Sequence, residues 1–108
     1  MDYYAQLENE DKELKSVGLE LMFLTPEKYS GEDGITAVEL SKRVDLPLEI
    51  VKKKLNILKE KNVVIVKGIN PKYWSFNDYN FQRLPEDDEL FLLLCSFDDV
   101  DFDKYFSY

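Results

Sequence analysis

"ITAVELSKRVDLPLEIVKKKLNILKEK", residues 35–61, is the stretch on which the fold turns. Thr36 followed by Glu39 has the spacing of a capping box, in which a hydroxyl and a carboxylate satisfy amides at a helix start, and it predicts a short helix to about Val44. Asp45 and Leu46 then make a tight turn. Pro47 suits the first turn of a second helix, because its missing N–H has no partner there in any case. Behind it Val51, Leu55 and Leu58 recur at intervals of four and three, so they align on one side of a helix that runs to about Lys61.

Working outward, "VVIVKGINPKYWSFN" (63–77) has two β-rich runs, Val63 to Val66 and Lys72 to Asn77, around a turn containing Gly68 and Pro71, which predicts a hairpin. Trp74 and Phe76 alternate with Tyr73, Ser75 and Asn77 and read as strand packing. Upstream, Leu14, Val17, Leu21 and Leu24 predict a first helix within residues 7–24, with acids at its start. "TPEKYSGEDG" (25–34) is a loop. Downstream, "EDDELFLLLCSF" (86–97) opens on four acids and continues apolar around its circumference, the pattern of a helix covered on several sides.

In order, these elements resemble the winged helix-turn-helix domains of ArsR- and MarR-type transcriptional regulators. Ile35, Thr36, Glu39 and Leu40 match the "LTxxELA" opening of those families, Asp45-Leu46 the tight turn, and Val51, Leu55 and Leu58 the buried positions of the recognition helix. "LKEKNVVIVKG" (58–68) is similar to their "LEEKGLVxxxx" passage into the wing. The resemblance covers residues 35–77. It implies an α+β winged helix: a three-helix core with its helix-turn-helix at 35–61, a wing at 63–77, and flanking N- and C-terminal helices, the latter at 86–97. One domain over residues 1–97 and an acidic aromatic tail over 98–108 are expected. The implied function is that of a regulator that binds double-stranded DNA.

Charge gives that expectation physical content. Between Lys42 and Lys72 nine basic residues stand against three acidic ones, while the rest of the chain has five basic against nineteen acidic. The formal net charge of −8 therefore averages two regions of opposite character. With about 100° between successive helical residues, Lys52, Lys53 and Lys54 are expected to fan away from Val51, Leu55 and Leu58 toward phosphates. Lys67 and Lys72 bracket the hairpin turn, which contains Asn70, and the start of the Thr36 helix offers a phosphate its dipole. Asn56 is the candidate for a base edge. Glu49 falls on the same surface, where a carboxylate is repelled by phosphates.

The alternative uses the same helix differently. Lysines on an outer helix face commonly do no more than keep it soluble, and Ile50 and Ile57 among them are what a protein-binding face shows, with the lysines meeting an acidic partner. A second copy is a further expectation. Leu90 to Leu94 with Phe97 exceed what one face of a small domain buries, which predicts Leu90, Phe91 and Leu94 at a homodimer interface. Such a dimer would space two recognition helices about one DNA turn apart.

Other classes are disfavoured. Hydrophobic residues make up 44% and charged residues 33% of 108, the composition of one globular domain. The apolar run "LFLLLC" is far short of the roughly 20 residues that span a bilayer, so a soluble cytoplasmic protein without a membrane partner is expected. Cys95 is the sole cysteine, which excludes an intramolecular disulfide, and its place among leucines predicts burial. Histidine is absent, and no Gly-rich phosphate loop or nucleophile elbow occurs, so neither an enzyme nor a cofactor or metal site is expected. Asp99, Asp101 and Asp103 have the spacing of calcium-loop ligands, but Lys104 stands where that loop needs Gly. The acids and aromatics of 98–108 read either as a phosphate mimic lying over the lysine face or as a solvated terminus.

Overall fold

Among the residues that the computed structural model describes, the backbone of 3–95 and the side chains of 12–95, the first element is a long helix α1, Tyr3–Met22. A single 3-10 turn follows at Pro26–Lys28. Helix α2, Ala37–Val44, begins at Thr36, whose extended backbone lets Oγ1 accept the Glu39 amide at 3.2 Å. The other half of the capping box is filled differently: the Thr36 amide donates to Ser30 Oγ at 2.8 Å, so the preceding loop supplies the acceptor expected from Glu39. Asp45 ends α2 in the left-handed region (φ 56°, ψ 48°), which Asp tolerates better than most residues. Pro47 then leads directly into α3, Leu48–Glu60.

Helix α3 is the pivot of the core. Val51, Leu55 and Leu58 are fully buried, and α3 packs on α1, on α2 and on strand β1 (Val64–Lys67). Asn62, at φ 62°, turns the chain out of α3 and into β1. Strand β2, Tyr73–Phe76, pairs antiparallel with β1 in the register Val64↔Phe76, Ile65↔Ser75, Val66↔Trp74 and Lys67↔Tyr73. The free edge of β2 is occupied too. Ile35, just before α2, exchanges two backbone hydrogen bonds with Trp74, at 2.9 and 2.8 Å. The hairpin is thereby tied to the start of α2, a long-range bridge with no local sequence signal.

Two further helices close the core, α4 (Asp78–Gln82) and α5 (Glu89–Cys95). The described fold is thus mixed α+β, with five α-helices and one two-stranded antiparallel hairpin. No described helix is long and apolar enough to cross a membrane. Helix α4 is absent from the sequence expectations, because five residues are too few for a periodic signal. Its mark is the cap: Asn77 Oδ1 accepts the Asn80 amide at 3.1 Å. Phe81 on α4 meets Phe76 edge-on at 5.3 Å and stacks on Phe91 at 5.2 Å.

That aromatic cluster corrects the reading of α5. Leu94 is fully buried within the chain, Leu90 is 4% exposed and Phe91 is half-buried against Phe81, so most of the apolar surplus from which the sequence predicts a dimer interface is covered by the chain itself. Leu94 nests on α1 at Gly18, where a Cβ would lie 2.8 Å from its Cδ2. Leu92 is the one left out, at 56% exposure, and Cys95 is exposed rather than buried. Phe97, the acidic tail and its calcium-like spacing lie outside the described residues.

Asp88 fastens α5 to α3. Its Oδ1 accepts the Leu90 and Phe91 amides at 2.9 and 3.3 Å, and its Oδ2 takes a 2.7 Å bond from the Lys61 ammonium. The Lys61 bond holds the Asp88 carboxyl below the ordinary aspartate range, against a smaller opposing effect of burial and with help from the two amides. Stability from this group is therefore present above the unfolded-state value near about pH 4 and is lost as the pH falls through the lower folded value. Replacing Asp88 with Ala should cost about 1 kcal/mol at neutral pH through the lost cap. The Asp88→Asn variant should differ in urea midpoint from the wild type at pH 7, and that difference should shrink toward zero in strong acid.

Candidate functional site

The burial of Val51, Leu55 and Leu58 orients every other side chain of α3. At about 100° per residue, Lys52 and Asn56 fall on one flank, Ile57 and Lys61 on the opposite flank, and Glu49, Lys53 and Glu60 between them on the outward side. Each flank borders a groove.

The first groove, with a volume of about 440 Å³, lies between α3, the start of α2 and the tip of the hairpin. Lys52 and Asn56 line it from α3, Thr36, Ala37 and Val38 from α2, and Ile69, Asn70, Pro71 and Lys72 from the tip. Trp74, almost fully buried, contributes to its wall. Lys52, Asn56, Asn70 and Lys72 are exposed, so two ammonium groups and two carboxamides share one concave surface. The first helical amides of α2 border it as well, and such amides have no acceptor within their own helix. A chain of phosphates with neighbouring hydrogen-bonding edges is the chemistry these groups suit.

Of the residues singled out from the sequence for DNA contact, this groove brings together Thr36, Lys52, Asn56, Asn70 and Lys72. Glu49 and Lys53 are exposed but do not line it. Lys67 does not line it and is in an ion pair with Asp33, at 3.2 Å, so a phosphate would have to displace a carboxylate of the 25–34 loop to reach it. The Thr36 amide is taken by Ser30, which leaves the next amides of α2 to the groove.

Lys54 is a correction. It is 7% exposed and does not fan outward with Lys52 and Lys53. The reason is positional: Lys54 stands three residues after Val51 and four before Leu58, on the edge of the buried ridge. Its methylene stem packs inside, while no described residue bonds its ammonium, which keeps contact with solvent.

The second groove, of about 660 Å³, runs between α1, α3 and α5. Leu14, Ile57, Leu90, Leu92 and Leu93 line it, with Lys61 and Glu89 as its charged members. Of the predicted protein-contact residues, Ile57 (38% exposed) and Leu90 belong here; Ile50 is half-buried and lines neither groove. The lysine flank and the apolar flank of α3 are therefore different surfaces.

Val38 and Ile69, 51% and 89% exposed, are site residues that the sequence reading passed over. A signal was present for the second: Ile69 sits in a Gly–Ile–Asn–Pro turn, where an isoleucine has no core to enter. Among the described residues no three His, Cys, Asp or Glu side chains converge as metal ligands would.

In comparison with known proteins, the chain matches no family model, no curated protein and no solved structure.

The inward position of Lys54 is open to measurement. Lys54→Ala should lower stability by about 1 kcal/mol through lost packing, whereas Lys52→Ala and Lys53→Ala should each stay within about 0.5 kcal/mol of the wild type in urea unfolding.

Proposed function

We propose that the chain is a winged helix-turn-helix module that binds duplex DNA as a cytoplasmic transcriptional regulator. In this reading α3 is presented to the major groove and the β1–β2 hairpin is the wing. One observation carries it: α3, the start of α2 and the hairpin tip border a single groove, in which Lys52, Lys72, Asn56 and Asn70 meet. Support comes also from charge, because this cationic surface sits in a chain of net charge −8, where solubility alone would not require lysines to be gathered.

Roles follow from chemistry. Lys52 and Lys72 neutralise phosphates, Asn56 offers the paired donor and acceptor that suit an adenine edge, and Asn70 reaches sugar or base edges from the wing. Lys53, on the outward side of α3, adds to the field. Lys67 contributes after exchanging Asp33 for a phosphate. Glu49 limits how closely the start of α3 approaches the backbone.

A separate observation favours a second reading, in which the fold associates with another copy of itself. Leu92 protrudes from α5 beside the groove lined by Leu14, Ile57 and Leu93, and the charged members of that groove, Lys61 and Glu89, have opposite signs. A two-fold pairing would seat each Leu92 in the partner groove and set Lys61 against Glu89. The two readings use opposite flanks of α3 and are compatible.

Binding of random duplex at low ionic strength should weaken with salt, each phosphate contact adding about −0.9 to the slope of log K against log salt concentration. The Lys52→Ala/Lys72→Ala variant should flatten that slope by about 2, and Lys54→Met should leave it unchanged. Absence of any shift of random duplex at low salt would exclude the DNA reading. For association, sedimentation equilibrium should give a wild-type mass that rises toward two chains with concentration, while Leu92→Glu stays at one; a wild type that is monomeric throughout excludes the pairing.

A further inference from the structure

Ile69 is the most exposed large apolar side chain among the described residues, at 89%, and it stands among charged and amide groups. Lys67 and Lys72 flank it in sequence, Asn70 and Pro71 follow it directly, and it borders the same groove as Lys52 and Asn56. Solubility disfavours such a residue on a tip that water reaches from most sides.

The tip is a tight turn. Gly68 has φ 83°, and the Pro71 carbonyl oxygen lies 2.6 Å from where a Cβ on Gly68 would stand, so the turn is closed over itself. Below it, Lys67 pairs with Tyr73 in the ladder and with Asp33 by its ammonium, and the next residue of β2, Trp74, is bonded to Ile35 in front of α2. The Trp74–Ile35 pairing ties the hairpin to the start of α2, so the strand that carries the tip and the helix start that borders the groove belong to one hydrogen-bonded unit.

Resting on the DNA-binding reading above, we infer that Ile69 is an apolar wedge: with the strand held by Lys52 and Lys72, it enters the adjacent minor groove and partly unstacks one base step, bending the duplex. An isoleucine inserted between bases recovers by burial what unstacking costs, and the bend brings more backbone against the lysines. A polar tip would contact the groove edges and leave the stack intact. Asn70, beside the wedge, is left with the acceptors that A·T pairs present in the minor groove, so flexible TA steps are the expected sites.

The test uses the full chain and a 20-base-pair duplex carrying 2-aminopurine at a central TA step, with a fluorophore pair at its ends. Wild-type binding should raise the 2-aminopurine emission and shorten the end-to-end distance. Ile69→Ser, at a position too exposed to affect folding, should retain the salt slope of binding and lose both signals, and Ile69→Leu should restore them. A central mismatch, where unstacking is already partly done, should bind the wild type on the order of ten-fold more tightly and Ile69→Ser with little preference. Binding with neither signal in the wild type, or with both signals intact in Ile69→Ser, overturns the wedge and leaves DNA binding standing. Failure to bind any duplex overturns both.

Discussion

Burial of the Val51–Leu55–Leu58 ridge between α1, α2 and β1 is the constraint from which the rest of the molecule follows. A helix that hides one aliphatic edge completely has no rotational freedom left, so the direction of every other side chain on it is settled. Lys52 and Asn56 border the start of α2 and the hairpin tip, and Ile57 and Lys61 border α1 and α5. The mixture of cationic and apolar residues along α3, which reads in sequence as two competing uses of one face, is resolved by rotation into two faces. Lys54 shows the same constraint from the inside. It lies on the ridge edge, and its long stem becomes part of the core boundary.

A second constraint is a backbone bridge. The Ile35–Trp74 bridge joins the residue before α2 to the centre of β2, so the start of one helix and the hairpin are parts of one hydrogen-bonded unit. Ser30 holds the Thr36 amide and Asp33 holds Lys67, which fits the 25–34 loop into the same unit. The start of α2 and the hairpin tip, about thirty residues apart in the chain, thereby border one groove with α3. The loop also brings a carboxylate to a cation that would otherwise face solvent, which moderates the positive field of the hairpin. Both partners of that ion pair are about half exposed, so the contact is weak and exchangeable.

The far side of the domain is governed by apolar surplus. Five of the last seven described residues are apolar leucines or phenylalanine, and the chain covers most of them itself, with Phe81 of α4 stacked on Phe91 and with Gly18 of α1 receiving Leu94. Asp88 fixes the geometry by capping α5 and bonding Lys61 of the α3 end. Leu92 remains uncovered at 56% exposure and lines the groove shared with Leu14 of α1 and Ile57 of α3.

What the sequence determined by itself was whatever depends on neighbours within about four residues. The Thr36 cap, the Asp45 turn, the period of the α3 ridge and the alternation of the strands are local signals, and each element appears where those signals put it, within one to three residues. The run Lys52–Lys54 reads in sequence as one outward fan, and the structure corrects it: Lys54, three residues after Val51 and four before Leu58, lies on the edge of the buried ridge. Tertiary structure alone decided which acceptor the Thr36 amide finds, that Asp33 occupies Lys67, that a five-residue α4 exists to cover Phe91, and that Ile69 stands at the rim of the groove with Lys52 and Asn56. These are contacts between segments brought together only when the core closes, and no periodicity along the chain encodes which segments those will be.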